Sequence, residues 1–199
     1  MLIDPTSDYA RAAAMAMGRA MDEVLIDAAL GTAYTGVSGG TSTAGQTAIA
    51  AGVTGLSLAK LLVAKETLDG DDVAEGGRVI VCTADQITDL LNTTEVQSAD
   101  FNTVKALARG EVDTFLGFRF VPVNGKRIDG TKLVPVNGSS HRRCFAFQGD
   151  GLLLGVGADM TTKISERADK NYATQVFCSM SIGGTRMEEA RVLEILCVE

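Results

Sequence analysis

In the stretch GEVDTFLGFRFV, residues 110–121, two carboxylates lead into a run that is apolar on both sides. Leu116, Phe118 and Phe120 fall on one side of an extended chain, and Phe115 and Val121 on the other. Successive side chains of a strand point to opposite faces, so such a segment has to be covered twice. The spacing therefore predicts a strand over 115–121 that is covered on both faces. It holds three of the chain's seven phenylalanines, and there is no tryptophan elsewhere to anchor a rival core.

The elements around it read as a mixture. DYARAAAMAMGRAMDEVLIDAAL is rich in strong helix formers, with Tyr9, Ala13, Ala16, Ala20, Val24 and Ala28 as a stripe of mostly small residues that Met17, Met21 and Leu25 widen. Ser7 or Asp4 can cap its start, and Gly31 is expected to end it in a left-handed conformation. Residues 36–55 are Gly, Thr, Ser and Ala with hardly a charge, and read as a loose excursion. SLAKLLVAKETLDG is a helix with Leu58, Leu61, Leu62 and Leu68 inward and Gly70 as its stop. RVIVC is a short buried strand. Thr83 and Gln86 form a capping box for a helix whose inner face is Ile87, Leu90 and Leu91. SADFNTVKALARG is a further helix burying Phe101, Val104 and Ala108. After a polar excursion over 124–143 come the strands RCFAF and GLLLGVG, the half-covered strand ATQVFCSMSIGG, and ARVLEILCV. Helices and strands lack a strict β-α-β rhythm, so the class is α+β.

Composition excludes several roles. A net charge of −7 over 199 residues argues against nonspecific binding to nucleic acid or anionic membranes, which reward a basic surface. No apolar run reaches the roughly 20 residues that span a bilayer, and the N-terminus has neither the basic nor the apolar region of a signal peptide. Cys82, Cys144, Cys178 and Cys197 are far apart in apolar contexts. They read as free, mostly buried thiols of a reducing compartment, with no metal-type spacing.

Candidate chemistry is sparse. GGTSTAGQT nearly fits a phosphate loop, with Gly40, Gly45 and Thr47 in place, but Gln46 stands where the mechanism needs lysine. His141, the single histidine, lies in SSHRR beside Ser139 and Ser140; neighbours in sequence rarely face each other as a catalytic pair. Arg142 and Arg143 form a small basic patch able to meet an anion or a neighbouring subunit. In ISERADK, Glu166, Arg167, Asp169 and Lys170 alternate in sign. Two readings stay open there: a solvated surface, or a rim that sets register against a neighbouring subunit. No nucleophile with a base, no carboxylate pair and no ligand set emerges, which points to a structural role and not to an enzyme or cofactor binder.

The stretches QSADFNTVKALARGEVDTFLGFRFV (97–121) and ISERADKNYATQVFCSMSIGGTRMEEARVLEILC (164–197) resemble signature stretches of tailed-phage major capsid proteins. The branch is the one common in short-tailed phages and prophages, with the Hong Kong 97-type capsid fold. LIDPTSDYARAAAMAMGRAMDEVLIDAALGTAYTG (2–36) resembles the same branch, and together the three blocks cover roughly half the chain.

The resemblance implies a peripheral lobe from residues 1–56 and 159–188, built on a spine helix at 8–30, and an axial lobe from 57–158 and 189–199. It implies copies of the chain as the main partner, portal and scaffold proteins as others, weak contact with packaged DNA and no membrane. The setting implied is the virion, assembled in the bacterial cytoplasm. Family members carry an N-terminal arm and an extended loop ahead of the spine helix; the chain begins almost at that helix, so a shortened coat subunit that folds but assembles poorly is expected. Two other readings are a small α+β ligand-binding or enzyme domain using the loop at 36–47, and a related nanocompartment shell protein.

Overall fold

A computed structural model describes residues 5–43, 48–92, 114–127 and 129–199. The expected helix over 98–110, and residues 44–47 of the near phosphate loop, lie outside the described residues. Among the described residues three helices, α1 (Pro5–Leu30), α2 (Leu58–Gly70) and α3 (Ala84–Asn92), accompany nine strands. The strands are β1 (Ala33–Thr35), β2 (Thr41–Thr43), β3 (Arg78–Cys82), β4 (Thr114–Phe115), β5 (Phe118–Pro122), β6 (Arg142–Gln148), β7 (Leu152–Arg167), β8 (Ala173–Arg186) and β9 (Val192–Cys197). β4-β5-β3-β6-β9 form one sheet; β1 with β2, and β7 with β8, form two ribbons.

The phenylalanine stretch is a hairpin, not one strand. Leu116 and Gly117 both have positive φ, 54° and 83°. That is the pattern of a two-residue turn whose twist suits flanking strands. The turn folds Phe115 back opposite Phe118, so Phe115, Phe118 and Phe120 enter the same core cluster. Val121 takes the other face. The hairpin occupies the sheet's edge, and the centre belongs to β3, flanked by β5 in parallel and β6 antiparallel. RVIVC is only five residues long, yet it is the middle strand of the five.

The sheet is covered on both faces. Ile80, Cys82, Phe118, Phe120, Cys144, Ala146, Leu193 and Ile195 pack with Leu61, Ala64 and Leu68 of α2 and Leu90 of α3. On the opposite face Val81, Phe145 and Val192 meet Ile26 and Ala29 of α1 and Leu133 and Val134 of the 124–143 excursion. Leu62 is half-exposed and points outward. The inner stripe of α2 is instead Leu61, Ala64 and Leu68, with Lys60.

Helix α2 also runs through Gly70. It ends where Asp72 adopts φ 57° and two crossed bonds close the turn, Val73 N–H to Leu68 O at 3.0 Å and Asp72 N–H to Asp69 O at 3.2 Å. Buried Val73 then touches the helix end, the usual accompaniment of this cap. At α3 half of the expected capping box is present. The Gln86 side chain accepts from Thr83 N–H at 3.1 Å, but the Thr83 hydroxyl donates to that same oxygen.

Helix α1 lies along β8. Gly184 sits beneath it so closely that a Cβ would come within 3.1–3.2 Å of Val24 and Ala28. Tyr9 and Ala16, expected in the packed stripe, are exposed. Gly31 ends the helix without a left-handed φ. Its N–H reaches Asp27 O at 2.8 Å, and a Cβ there would lie 2.6 Å from that oxygen, so the close approach, not the backbone region, calls for glycine.

The described parts of the excursion, 36–43 and 48–55, are more ordered than their composition suggests. β1 and β2 form a short hairpin around Gly36 and Gly39, whose φ values are 87° and 63°. Ile49 then pairs alongside β9, its N–H on Glu194 O at 2.8 Å and its carbonyl accepting from Leu196 N–H at 3.0 Å. Ala51 and Leu56 are buried.

Candidate functional site

The two groups of charged residues singled out in the sequence occupy separate places. β7 is a 16-residue strand that carries Glu166 and Arg167 to the end of the ribbon. Asp169 and Lys170 follow in a short turn over Ala168–Lys170. Asn171 and Tyr172, both with positive φ (52° and 59°), reverse the chain into β8. Tyr172 N–H closes the loop on Arg167 O at 3.0 Å, and Arg167 Nε donates to Asp169 Oδ1 at 2.9 Å. Two consecutive left-handed residues other than glycine are costly, and here they hold an exposed tip of alternating charge crowned by Tyr172, 70% exposed. The strand was missed as a unit because ISERADK was read by its charges. The signal was the absence of any glycine or proline between Gly157 and Asn171.

Arg142 and Arg143 do not join that rim. Arg142 is buried in β6, forking onto Glu199 at 2.7 and 2.5 Å and donating to Val134 O at 2.6 Å. Arg143 donates to Glu194, and to Leu30 O at 3.1 Å. Both guanidinium groups are thus engaged within the chain. His141 is half-buried; its backbone closes a turn, with His141 N–H and Ser139 N–H both on Asn137 Oδ1 at 2.9 Å.

Arginines from three other places in the chain converge on helix α1, and of these the sequence flagged only Arg143. Arg186, at the end of β8, donates to Ala29 O and Gly31 O at 2.9 Å. With Arg143 on Leu30 O, two cations meet the carbonyl end of α1, where the helix dipole favours positive charge. Arg127 binds Glu23 at 2.9 Å and also Asp27, fixing the 124–143 excursion to the same helix.

Three thiols, those of Cys82, Cys144 and Cys197, are buried on the face toward α2 and α3; Cys178 is half-buried on β8. Burial pushes the Cys82 thiol up to about 12. No group of potential ligands close enough to hold a metal occurs among the described residues, and no described helix is long and apolar enough to cross a membrane.

Glu199 is the most strongly shifted carboxyl in this region. Hydrogen bonding to Arg142 lowers it from 4.5 to about 2, against the opposing effect of desolvation. A carboxyl held below its ordinary value keeps its stabilising contribution above about 4.5 and loses it as pH falls toward about 2, because the unfolded chain protonates first. Urea unfolding should therefore show a loss of about 1–2 kcal/mol between pH 5 and pH 2.5 attributable to this group, after discounting about 1.4 kcal/mol per unit for its partial exposure. In Glu199→Gln that part of the pH dependence should vanish. An unchanged slope in the variant would remove Glu199 from the account.

A long helix carrying a two-stranded ribbon, set beside a compact helix-covered sheet, has counterparts among solved structures. The capsid protein of cyanophage P-SCSP1u is 20% identical, with a TM-score of 0.70 over 100% of this chain and 68% of that one. A structure from Mycobacterium phage Che8 is 20% identical, with a TM-score of 0.61 over 94% of this chain and 61% of that one. The capsid of an empty GTA particle is 14% identical, with a TM-score of 0.71 over 100% and 68%. The chain spans about two thirds of the length of these proteins. No curated protein matches it in sequence.

The arrangement is that of the Hong Kong 97-type capsid fold. Since the phage capsid protein family model matches residues 1–199, the chain belongs to the phage capsid proteins, a structural family.

Proposed function

We propose that the chain is the repeating subunit of an icosahedral shell around a phage genome and carries out no catalysis. In this reading residues 57–158 and 189–199 form the axial lobe around a capsomer's centre. Residues 1–56 and 159–188 form the peripheral lobe, with Glu166, Arg167, Asp169 and Lys170 meeting a neighbouring subunit. Family membership over the full 199 residues is the observation that carries it. Alternating charge at the tip suits register-setting contacts between copies. The net charge of −7 suits weak contact with DNA that has to leave again. Portal and scaffold proteins are the further partners, and assembly takes place in the bacterial cytoplasm.

The test is to purify particles by density gradient from cells carrying the gene, and to identify their most abundant protein and contents. This chain as the dominant protein of DNA-filled shells is the expected result. Particles filled with a cargo protein would reassign it to a nanocompartment, and recovery of the chain only as soluble protein would overturn the reading.

A further inference from the structure

Three of the chain's four thiols meet on one face of the five-stranded sheet. Cys82, Cys144 and Cys197 are each 0% exposed and belong to the core cluster toward α2 and α3. β3 and β6 run antiparallel with Val81 opposite Phe145, and that register, continued by one residue, sets Cys82 opposite Cys144. The Cys82 carbonyl accepts from Val123 N–H at 2.8 Å on the β5 side, so its backbone groups turn away from β6. The two cysteines therefore form a non-hydrogen-bonded pair, whose Cα atoms stand about 4.5 Å apart, within the span that a disulfide bridges. Both are free thiols in the structure.

Cys197 completes the group from the other side of β6. On β9 it lies opposite Arg142, two residues beyond Ile195, which faces Cys144. Cys144 and Cys197 are thus diagonal neighbours on the same face. The Cys144 thiol donates to the Cys197 sulfur, and this bond, with the Lys60 ammonium nearby, holds the Cys197 thiol below its ordinary pKa against desolvation. The same bond raises the Cys144 thiol, and burial raises that of Cys82 to about 12. The thiolate is the form that reacts, so chemistry starts at Cys197. Buried thiols are ordinarily inert. This group differs in having a bonded partner thiol and a way in: a cleft of about 350 Å³, lined by Gly55, Asp89, Val198 and Glu199, opens at the residues that follow Cys197.

We propose that Cys82, Cys144 and Cys197 form a thiol relay that uses a hydroperoxide to close a disulfide between β3 and β6. The Cys197 sulfur attacks the peroxide O–O bond, giving a sulfenic acid on Cys197 and releasing an alcohol, or water from hydrogen peroxide. The Cys144 thiol then displaces the hydroxyl as water and forms a Cys144–Cys197 bond. Diagonal positions stand about 7–8 Å apart, beyond the span of a relaxed disulfide, so this bond is strained and open to exchange. Cys82 attacks the Cys144 sulfur and releases Cys197 as a thiol. In sum two thiols give up two electrons and two protons, and the peroxide is reduced to the alcohol and water. The product ties the middle strand of the sheet to β6. On the coat reading above, on which this consequence alone rests, a shell leaving the reducing cytoplasm closes the bond outside the cell.

The test is a time course of the purified wild-type chain with hydrogen peroxide, quenched by alkylation and read by peptide mapping without reductant. A Cys144–Cys197 bond should appear first and give way to Cys82–Cys144, which dithiothreitol reverses. In concentrated urea that order should be lost. The oxidised chain should melt at a higher temperature than the reduced one, because the bridge closes a long loop. Cys197→Ala should slow formation of the Cys82–Cys144 bond about tenfold or more, since the most reactive thiolate is gone. Cys178→Ala, on β8 and outside the group, should leave the rate unchanged, and melting of the reduced variants checks that each folds. Oxidation confined to Cys178, a Cys82–Cys144 bond that never forms, or one that forms equally fast without Cys197 would overturn the relay. The particle purification decides the coat reading separately, whatever the thiols do.

Discussion

Phe118→Ala is expected to lower the stability of the chain by about 3–5 kcal/mol, the range for emptying a fully buried aromatic site. Phe118 is 0% exposed and begins β5, paired across the tight turn with Phe115. Its ring lies in the cluster that joins the sheet to α2 and α3. Truncation leaves a void that a single edge hairpin cannot collapse to fill, because β5 is held in register against β3 along Val79–Cys82. Urea unfolding should show a lower midpoint with an unchanged slope, the mark of lost stability without a change in compactness. Arg119→Ala is the matched control. Its side chain is exposed between two buried phenylalanines, so it should stay within about 0.5 kcal/mol. A loss for Phe118→Ala below about 1 kcal/mol, smaller than core truncations give, would mean that the hairpin face is not part of the core.

The aromatic stretch also shows where reading a sequence succeeds and where it stops. Its apolar character correctly implied a doubly covered sheet, since that depends only on what the side chains bury. Its division into two strands depended on left-handed φ at Leu116, a residue with no intrinsic preference for that region. The position of β3 at the centre was equally hidden, because pairing order is a long-range property that five apolar residues do not encode. By contrast, the half-covered alternation of Val176, Cys178, Met180 and Ile182 against Ser179 and Ser181 was legible from period two alone, and the structure keeps it, with Gln175 half-buried as the exception. The charged tip was visible as composition but not as the end of a 16-residue strand. Arg142 and Arg143 looked like a surface patch because the acids that engage them, Glu199 and Glu194, lie more than 50 residues away in sequence. The family was legible because long stretches of the sequence resemble it as wholes, and no single motif does.

The second large effect concerns a residue that periodicity placed on no particular face. Lys60→Met should destabilise the chain by about 2–4 kcal/mol. Lys60 is only 7% exposed, and its ammonium donates to Thr54 O at 2.7 Å, Gly55 O at 2.8 Å and Leu196 O at 2.9 Å. Three donors thus meet three carbonyls, joining the segment after Ile49 to the end of β9. Desolvation opposes the arrangement and lowers the lysine's pKa, so methionine removes a real cost while keeping most of the volume. What it cannot do is bond the carbonyls. Thr54 O retains Val198 N–H at 3.2 Å, whereas the Gly55 and Leu196 carbonyls lose the ammonium. A buried polar group stripped of its partner costs about 1–3 kcal/mol, and two such losses outweigh the relief of desolvating one amine already bonded on all sides. Lys65→Met, on the outer side of α2 with its amine near Glu75 and Asp69, should change stability by less than about 1 kcal/mol. The local signature should be faster amide exchange at Val198 and Leu196 in Lys60→Met, ahead of global unfolding, because those amides bond Thr54 and Ile49 of the same segment. Wild-type stability with unchanged exchange would show that the carbonyls find other donors and that Lys60 is dispensable to the fold.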